Sequence, residues 1–508
     1  RAARPRRRRK TLTSPARRPT ADHLALALLT LLAFGWRVAG LTSQSLWRDE
    51  VDSIRFASRP LAELLATFSR PGENGPLFFA LLNPTLAALG SSEFALRFQA
   101  VMAGVLAVPL TYALARRLTR VAGARMQHSC PCVAALFVAV NPYLVWYSQE
   151  GKMYGWLVAL ALAALLAFLA ALEDGRWWRW LVYLALLAVA VLHHVWAVLL
   201  IPICAAWLAL LWPDYRRRWL PFLLTLAIPA LPYFALVGWW QLRLFTTPDF
   251  QTGHPFVSLP TMAATLATAF SLGVARSPTP WAIAGLTFLL LTGSILGGRN
   301  VDGASPAYTW RSVRASLMLL VWLLLPPLLL YLISLSKPLY TDRYVIWIGP
   351  ALLILLAQGV VALAQVWRPL GAAALAAVLA AGLLAGWRQM QTPIKSDFRA
   401  AAAYVEARRQ PGDLLLFQMP YNRIVYEYYA GPQTAALDGR YTNSGSTEAQ
   451  VDEEMRRAVG AAPAVWLLAS EEEMWDQRRL VRQWLEDRGE ITDQQDLARV
   501  QLVRFAIR

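Results

Sequence analysis

The chain has 508 residues, 57% of them hydrophobic and only 16% charged, with a mean hydropathy of +0.39. A soluble protein of this length carries about a quarter charged residues, so a water-soluble fold is excluded and a polytopic α-helical membrane protein is implied. The net charge of +17 does not point to nucleic acid: the excess sits in the tail 1–18 and in short clusters between apolar runs, where it marks cytoplasmic loops and attracts acidic membrane lipids.

Cys130, Cys132 and Cys204 are the three cysteines. Cys-Pro-Cys lacks a second ligand pair, so neither a zinc site nor a disulfide framework is expected. Residues 1–21 are expected to be a basic cytoplasmic tail. The apolar segment 23–41 has no small-residue cleavage site and reads as a retained first span running outward. It opens a long outer loop, 42–93, with two apolar patches. The first, 61–68, is too short to cross. The second, Pro76–Leu89, has 14 residues, below the ~17 a span requires. If it lies along the interface, the span 94–114 runs inward and delivers Arg116, Arg117, Arg120 and Arg125 to the cytoplasm. If it crossed, those arginines would face outward, against the positive-inside tendency. An interfacial helix is the better reading.

Alternation then continues. Segment 132–147 goes out and 155–172 returns to Arg176 and Arg179. Segment 180–192 goes out and 195–212 returns to Arg216, Arg217 and Arg218. Segment 219–240 goes out to a second long outer loop, 241–280, and 281–296 returns to Arg299, Arg311 and Arg314. Segments 317–335, 345–366 and 370–387 complete about eleven spans. The transmembrane unit therefore covers 22–390. From 395 charge rises and the apolar runs stop. Helices at 397–409, 421–429 and 472–488 alternate with strands at 413–418, 464–468 and 500–506. They predict a small α/β domain over 395–508, placed outside the cytoplasm by span parity.

The candidate chemistry lies in the outer segments. Leu46-Trp47-Arg48-Asp49-Glu50 puts two adjacent carboxylates at a water–lipid boundary. Inverting glycosyl transfer needs one carboxylate to take the proton from an attacking hydroxyl, and no second carboxylate as nucleophile. A solvated acidic loop or a salt bridge to Arg48 explains the same residues without chemistry. Tyr147-Ser148-Gln149-Glu150-Gly151-Lys152-Met153-Tyr154 ends the third span; Glu150 and Lys152 could line a cavity shared with Asp49 or simply anchor an interface. His193 and His194 are adjacent on a helix, about 100° apart, and make a poor metal pair; one could meet a substrate phosphate. Lys337, Asp342, Arg343 and Tyr344 occupy a late outer loop, where a guanidinium suits a phosphate and would steady the charge of a departing polyprenyl phosphate. The alternative there is a snorkelling arginine. Arg97 is a weaker candidate of the same kind. No Gly-rich nucleotide loop and no metal-ligand spacing occur, so no cofactor is identified.

Taken in order, Leu46-Trp47-Arg48-Asp49-Glu50, Gly75-Pro76-Leu77-Phe78-Phe79, Gly90-Ser91-Ser92-Glu93-Phe94-Ala95-Leu96-Arg97, Asn141-Pro142, Tyr147 to Tyr154 and Asp342-Arg343-Tyr344 resemble the GT-C fold glycosyltransferases. The resemblance is to the dolichyl-phosphate-mannose–protein mannosyltransferase and lipid A aminoarabinose transferase group, over residues 22 to 390. It implies a plasma-membrane enzyme with a polyprenyl-phosphate sugar donor, an active site outside the cytoplasm and an acceptor hydroxyl on protein, glycolipid or polysaccharide. By position it implies Asp49 as base, Glu50 as its acidic companion and Arg343 on donor phosphate, with Tyr344, Lys152, Glu150, His193 and Arg97 as further donor-binding candidates. Some members use a divalent metal, and the resemblance leaves that open. Two departures stand out. Gly75 replaces a second rigid residue, and Gln149-Glu150-Gly151-Lys152 replaces a more usual Gln-Glu-Ala-Arg. A flippase for a lipid-linked sugar is the principal rival, but it predicts acids at the bilayer midplane and internal repeats. A non-catalytic scaffold predicts indifference to the charge of Asp49.

Overall fold

The structure, a computed structural model, describes residues 19–69, 75–121, 124–233, 242, 246–247, 254–274, 279–296, 310–443 and 445–508. The tail 1–18, Arg299 and the end of the expected span 219–240 lie outside the described residues. Each of the eleven expected segments is largely helical where described. Six helices are long and apolar enough to cross a membrane: Ala21–Val38, Glu93–Leu118, Tyr154–Asp174, Val313–Ser334, Asp342–Val366 and Arg368–Gln391. Two bent pairs raise that number to as many as eight among the described residues.

One bend follows directly from sequence. Met126–Val140 and Pro142–Ser148 meet at 56° across Asn141. Pro142 has no N–H, so the carbonyl of Val138 loses its helical partner. In a membrane interior such a group needs another donor. The buried Arg37 guanidinium supplies it, donating to Val138 O at 3.0 Å and Ala139 O at 2.8 Å. Asn141 caps the second helix through the Leu144 N–H and donates to Phe270 O at 2.7 Å. The other bent pair, Val195–Leu210 with Trp212–Ile228, turns by 89°.

Pro76–Leu89 forms as a short helix. Gly75 caps it at φ +80°, and a β-carbon there would lie 2.4 Å from Met153 Cε and 2.9 Å from His193 O. A glycine at position 75 is therefore required by both backbone sign and space. The second long loop is not bare: it holds the helix Leu259–Leu272, which the sequence reading missed.

The C-terminal domain is a five-stranded sheet in the order β2-β1-β3-β5-β4. Its strands are β1 (Leu414–Phe417), β2 (Ala436–Asp438), β3 (Ala464–Ala469), β4 (Gly489–Leu497) and β5 (Val500–Ile507). β1 pairs in parallel with β2 and β3, while β5 pairs antiparallel with β3 and β4. Every residue of β3 is buried, as its uninterrupted apolar run requires. The expected helix 472–488 is shorter, Leu480–Arg488, because buried Asp476 accepts the Leu480 and Val481 N–H groups and fixes a turn before it.

This domain is not a separate bead. Phe398, Val405, Phe417, Val425 and Trp466 share one apolar cluster with Leu46, Val51, Ile54, Phe78 and Leu82 of the first loop. Tyr429 Oη accepts the Leu46 N–H at 2.8 Å and donates to Glu93. Arg399 also grips Glu93.

Candidate active site

The helix Arg48–Ala57 carries Asp49 and Glu50 in its first turn, where the helix dipole favours carboxylates. Adjacent helical residues point about 100° apart, and the two acids part accordingly. Glu50 turns inward and is fully buried, while the Asp49 side chain stays 29% exposed.

Glu50 is tied down on every side. Arg97 forks onto it, Nε to Oε1 at 2.7 Å and Nη2 to Oε2 at 2.8 Å. Lys395 Nζ reaches Oε2 at 2.7 Å, and the Gly151 N–H donates to Oε1 at 2.9 Å. Burial opposes the charge, yet Arg97 and Lys395 hold this carboxyl far below the usual carboxylate range. Arg97 spends its remaining donors on the carbonyls of Leu41, Gln44 and Ser45. Its guanidinium is 1% exposed and has no face turned to a ligand.

Asp49 meets Arg343, with Oδ2 3.6 Å from Nη2. Arg343 lies in the 3₁₀ segment Asp342–Ile348, and its guanidinium sits 5.4 Å from the Trp47 ring centre and 5.7 Å from that of Tyr154. Arginine is the cation suited to such aromatic faces. Tyr344 packs its ring 5.2 Å from His194 and 6.1 Å from His254. Of the adjacent histidines it is therefore His194 that adjoins the Arg343–Tyr344 loop. His193 binds Val189 O through Nδ1 at 2.8 Å and packs beside Trp156.

Glu150 and Lys152 lie on the loop that follows Pro142–Ser148. Glu150 is 1% exposed, and its Oε2 has no hydrogen-bond partner among the described residues. Burial pushes its carboxyl up; Lys395 and Arg343 pull against that, and Glu50 and Asp49 add to it. Lys152 Nζ lies 5.7 Å from the Phe79 ring centre. Burial pulls its ammonium down, opposed by Asp49, Glu150 and Asp52. Gly151 between them is packed against Leu96, 2.5 Å from where a β-carbon would stand, so alanine at this position would require Leu96 to move.

The structure thus gathers Asp49, Arg343, Tyr344, Glu150 and Lys152 around one region, with Glu50 and Arg97 paired beneath it. Lys395 also belongs to this site, although in sequence it marks only a domain boundary. Its signal was a lone lysine just past the last span, on the same side of the membrane as the acids. Among the described residues no three His, Cys, Asp or Glu side chains gather as a metal-ligand set.

The profile of the family described as dolichyl-phosphate-mannose-protein mannosyltransferase matches residues 71–240. No curated protein matches the chain in sequence. Among solved structures, the apo oligosaccharyltransferase of Archaeoglobus fulgidus superposes with a TM-score of 0.56 at 13% identity, covering 92% of this chain and 71% of that one. ArnT from Cupriavidus metallidurans, bound to undecaprenyl phosphate, gives 0.54 at 13% identity over 96% of this chain and 98% of its own. AglB from Archaeoglobus fulgidus, in complex with an inhibitory peptide and a dolichol-phosphate, gives 0.54 at 12% identity over 92% and 72%.

Proposed function

This chain is a multi-pass membrane protein of GT-C fold, and from that premise we propose that it is an inverting glycosyltransferase. It moves one sugar from a polyprenyl-phosphate donor to an acceptor hydroxyl on the membrane face that carries the sheet domain. That face is extracytoplasmic, since Arg116, Arg117 and Arg120 close the other end of their span. The observation that carries the reading is the meeting of Asp49 and Arg343, 294 positions apart in sequence, at 3.6 Å beside the rings of Trp47 and Tyr154. Binding of lipid phosphates by ArnT and AglB supports the same donor class here.

In this reading Arg343 leaves Asp49 for the donor phosphate and neutralises the charge that grows there as the glycosidic bond breaks. Asp49, released and still partly exposed, takes the acceptor hydroxyl proton during attack from the opposite face. Glu50, with both oxygens committed, is the fixed anion that orients the helix rather than a second base. His194 and Lys152 contact the sugar or phosphate, while Glu150, 1% exposed, serves as a buried charge. The lipid tail follows an apolar groove of about 390 Å³ lined by Leu259, Met262, Leu266, Pro327, Ile348 and Leu352. Ile348 ends the short segment that holds Arg343, so the groove and the phosphate site share one element.

The test uses the purified protein in lipid vesicles with a panel of polyprenyl-phosphate sugars, labelled in the sugar, and a membrane extract as acceptor. Transfer of label with inverted anomeric configuration is expected. Movement of carrier across the bilayer without loss of label would favour the flippase instead.

A further inference from the structure

Lys395 stands in the segment joining the last long helix, Arg368–Gln391, to the sheet domain, and its backbone is fixed before its side chain is considered. Gln44 Oε1 accepts the N–H groups of Ile394 at 2.9 Å and Lys395 at 3.3 Å. Gln44 Nε2 donates to the carbonyls of Gln389 at 3.2 Å and Thr392 at 2.9 Å. The first loop therefore holds the linker as one arm of a clasp. From there the side chain crosses to Glu50 with only 8% exposure, passing 5.8 Å from the Trp47 ring centre and 5.5 Å from that of Trp146.

A lysine ordinarily keeps its ammonium in water, and burying one is costly unless the charge is matched. Glu50 alone does not demand this partner. Arg97 already supplies a full countercharge through two parallel bonds, and the Gly151 N–H adds a third donor. Glu50 thus faces one cation more than it balances. The surplus has a match in Glu150, 1% exposed, with Oε2 unpartnered among the described residues and on the loop whose Gly151 N–H binds Glu50. Counted together, Arg97 and Lys395 oppose Glu50 and Glu150. Arg343 also opposes Glu150 and Asp49 adds to its charge, but these two face each other directly at 3.6 Å.

We infer that Lys395 is a positioning residue of the transfer site. It is the shared countercharge that lets Glu50 and Glu150 sit side by side, so the acidic helix bearing Asp49 and the loop bearing Lys152 take their working places only while the linker to the sheet domain is seated. The sheet domain is then a structural part of the active site rather than a tethered accessory. This role rests on the transferase reading above.

The experiment measures sugar transfer in lipid by the full chain, comparing wild type, Asp49→Asn, Lys395→Met, Lys395→Arg and Glu150→Gln/Lys395→Met. Misplacement of a catalytic group by about 1 Å costs on the order of 10²-fold, so Lys395→Met should lose about that much in kcat while the donor KM moves less than about threefold. Lys395→Arg, which keeps the charge, should stay within about tenfold of wild type. The double variant, balanced again, should recover about tenfold over Lys395→Met. Full kcat in Lys395→Met would overturn the inference, as would a Lys395→Arg protein as slow as Lys395→Met or a double variant with no recovery. Failure of both Lys395 single variants to fold would make Lys395 a folding residue and overturn it too. No transfer by wild type with any donor would sink the transferase reading itself and this role with it. Transfer by wild type with undiminished Lys395→Met sinks this role alone.

Discussion

Arg97→Met replaces a buried guanidinium with an apolar side chain of similar reach. It deletes two charged bonds to Glu50, at 2.7 and 2.8 Å, and three to the carbonyls of Leu41, Gln44 and Ser45, at 2.8, 2.9 and 3.2 Å. Removing one partner of a buried ion pair costs about 3–5 kcal/mol. Glu50 retains Lys395 and the Gly151 N–H, which places the expected loss near the lower end, about 3 kcal/mol. Glu50→Gln should cost more, about 4–5 kcal/mol, because two buried cations then face a neutral amide. Arg97→Lys keeps a charge but cannot fork, and should be the mildest of the three, at about 2 kcal/mol. Thermal loss of the monodisperse species in detergent, followed at several pH values, ranks the series. The pH dependence has a defined sign. Glu50 is held below its ordinary range, so its contribution is present above the unfolded pKa and is lost only as pH falls through the lower folded value. The gap between wild type and Glu50→Gln should therefore hold constant from about pH 8 to pH 5 and close only in stronger acid. A Glu50→Gln protein as stable as Arg97→Lys, or a gap that closes above pH 5, would refute the reasoning.

Glu150 has the opposite sign. Its carboxyl is pushed up by burial, so its contribution is greatest below the unfolded pKa and is lost as pH rises through the folded value. Glu150→Gln should lose ground to wild type on acidification to about pH 4.5, as thermal melts will read. Gly75→Ala puts a β-carbon on a φ of +80° and against His193 O; a loss of about 2 kcal/mol is expected, measured the same way. Tyr429→Phe removes the acceptor of the Leu46 N–H and the donor to Glu93. It should loosen the sheet domain by about 1–2 kcal/mol, seen as faster proteolysis of the linker before Phe398. Arg343→Ala should reduce sugar transfer by about 10²–10³-fold with folding preserved, and Arg343→Lys should recover part of it.

The apolar spans were legible because hydropathy and arginine placement act over long windows. The extent of Pro76–Leu89 was legible for the same reason, and the structure gives a helix with those bounds. The buried strands of the C-terminal domain showed themselves by unbroken runs such as Ala464-Val465-Trp466-Leu467-Leu468. What escaped was polar or conditional. β4 is an edge strand reading Asp493-Gln494-Gln495-Asp496, with no apolar alternation to reveal it. Leu259–Leu272 lies inside a stretch whose sequence reads as loop, and the break before Leu480 depends on how the buried Asp476 caps two N–H groups. At the site, sequence could pair Asp49 with Glu50 but not separate them; that needed the helix to turn one inward. Arg97 looked like a phosphate ligand because arginine near a span end is ambiguous until its partners are known. Gly75 and Gly151 seemed departures from a family pattern, and only their close neighbours, Met153, His193 and Leu96, give a reason for them.

The central claim is that Asp49 is the base of a sugar transfer from a lipid phosphate. Single-turnover release of labelled sugar from the polyprenyl-phosphate donor tests it most directly, with acceptor present, for wild type and for an Asp49→Asn protein shown to be folded. The account predicts release by wild type and a loss of about 10²–10⁴-fold in the variant at saturating donor. Equal release by both would remove Asp49 from the chemistry and contradict the account.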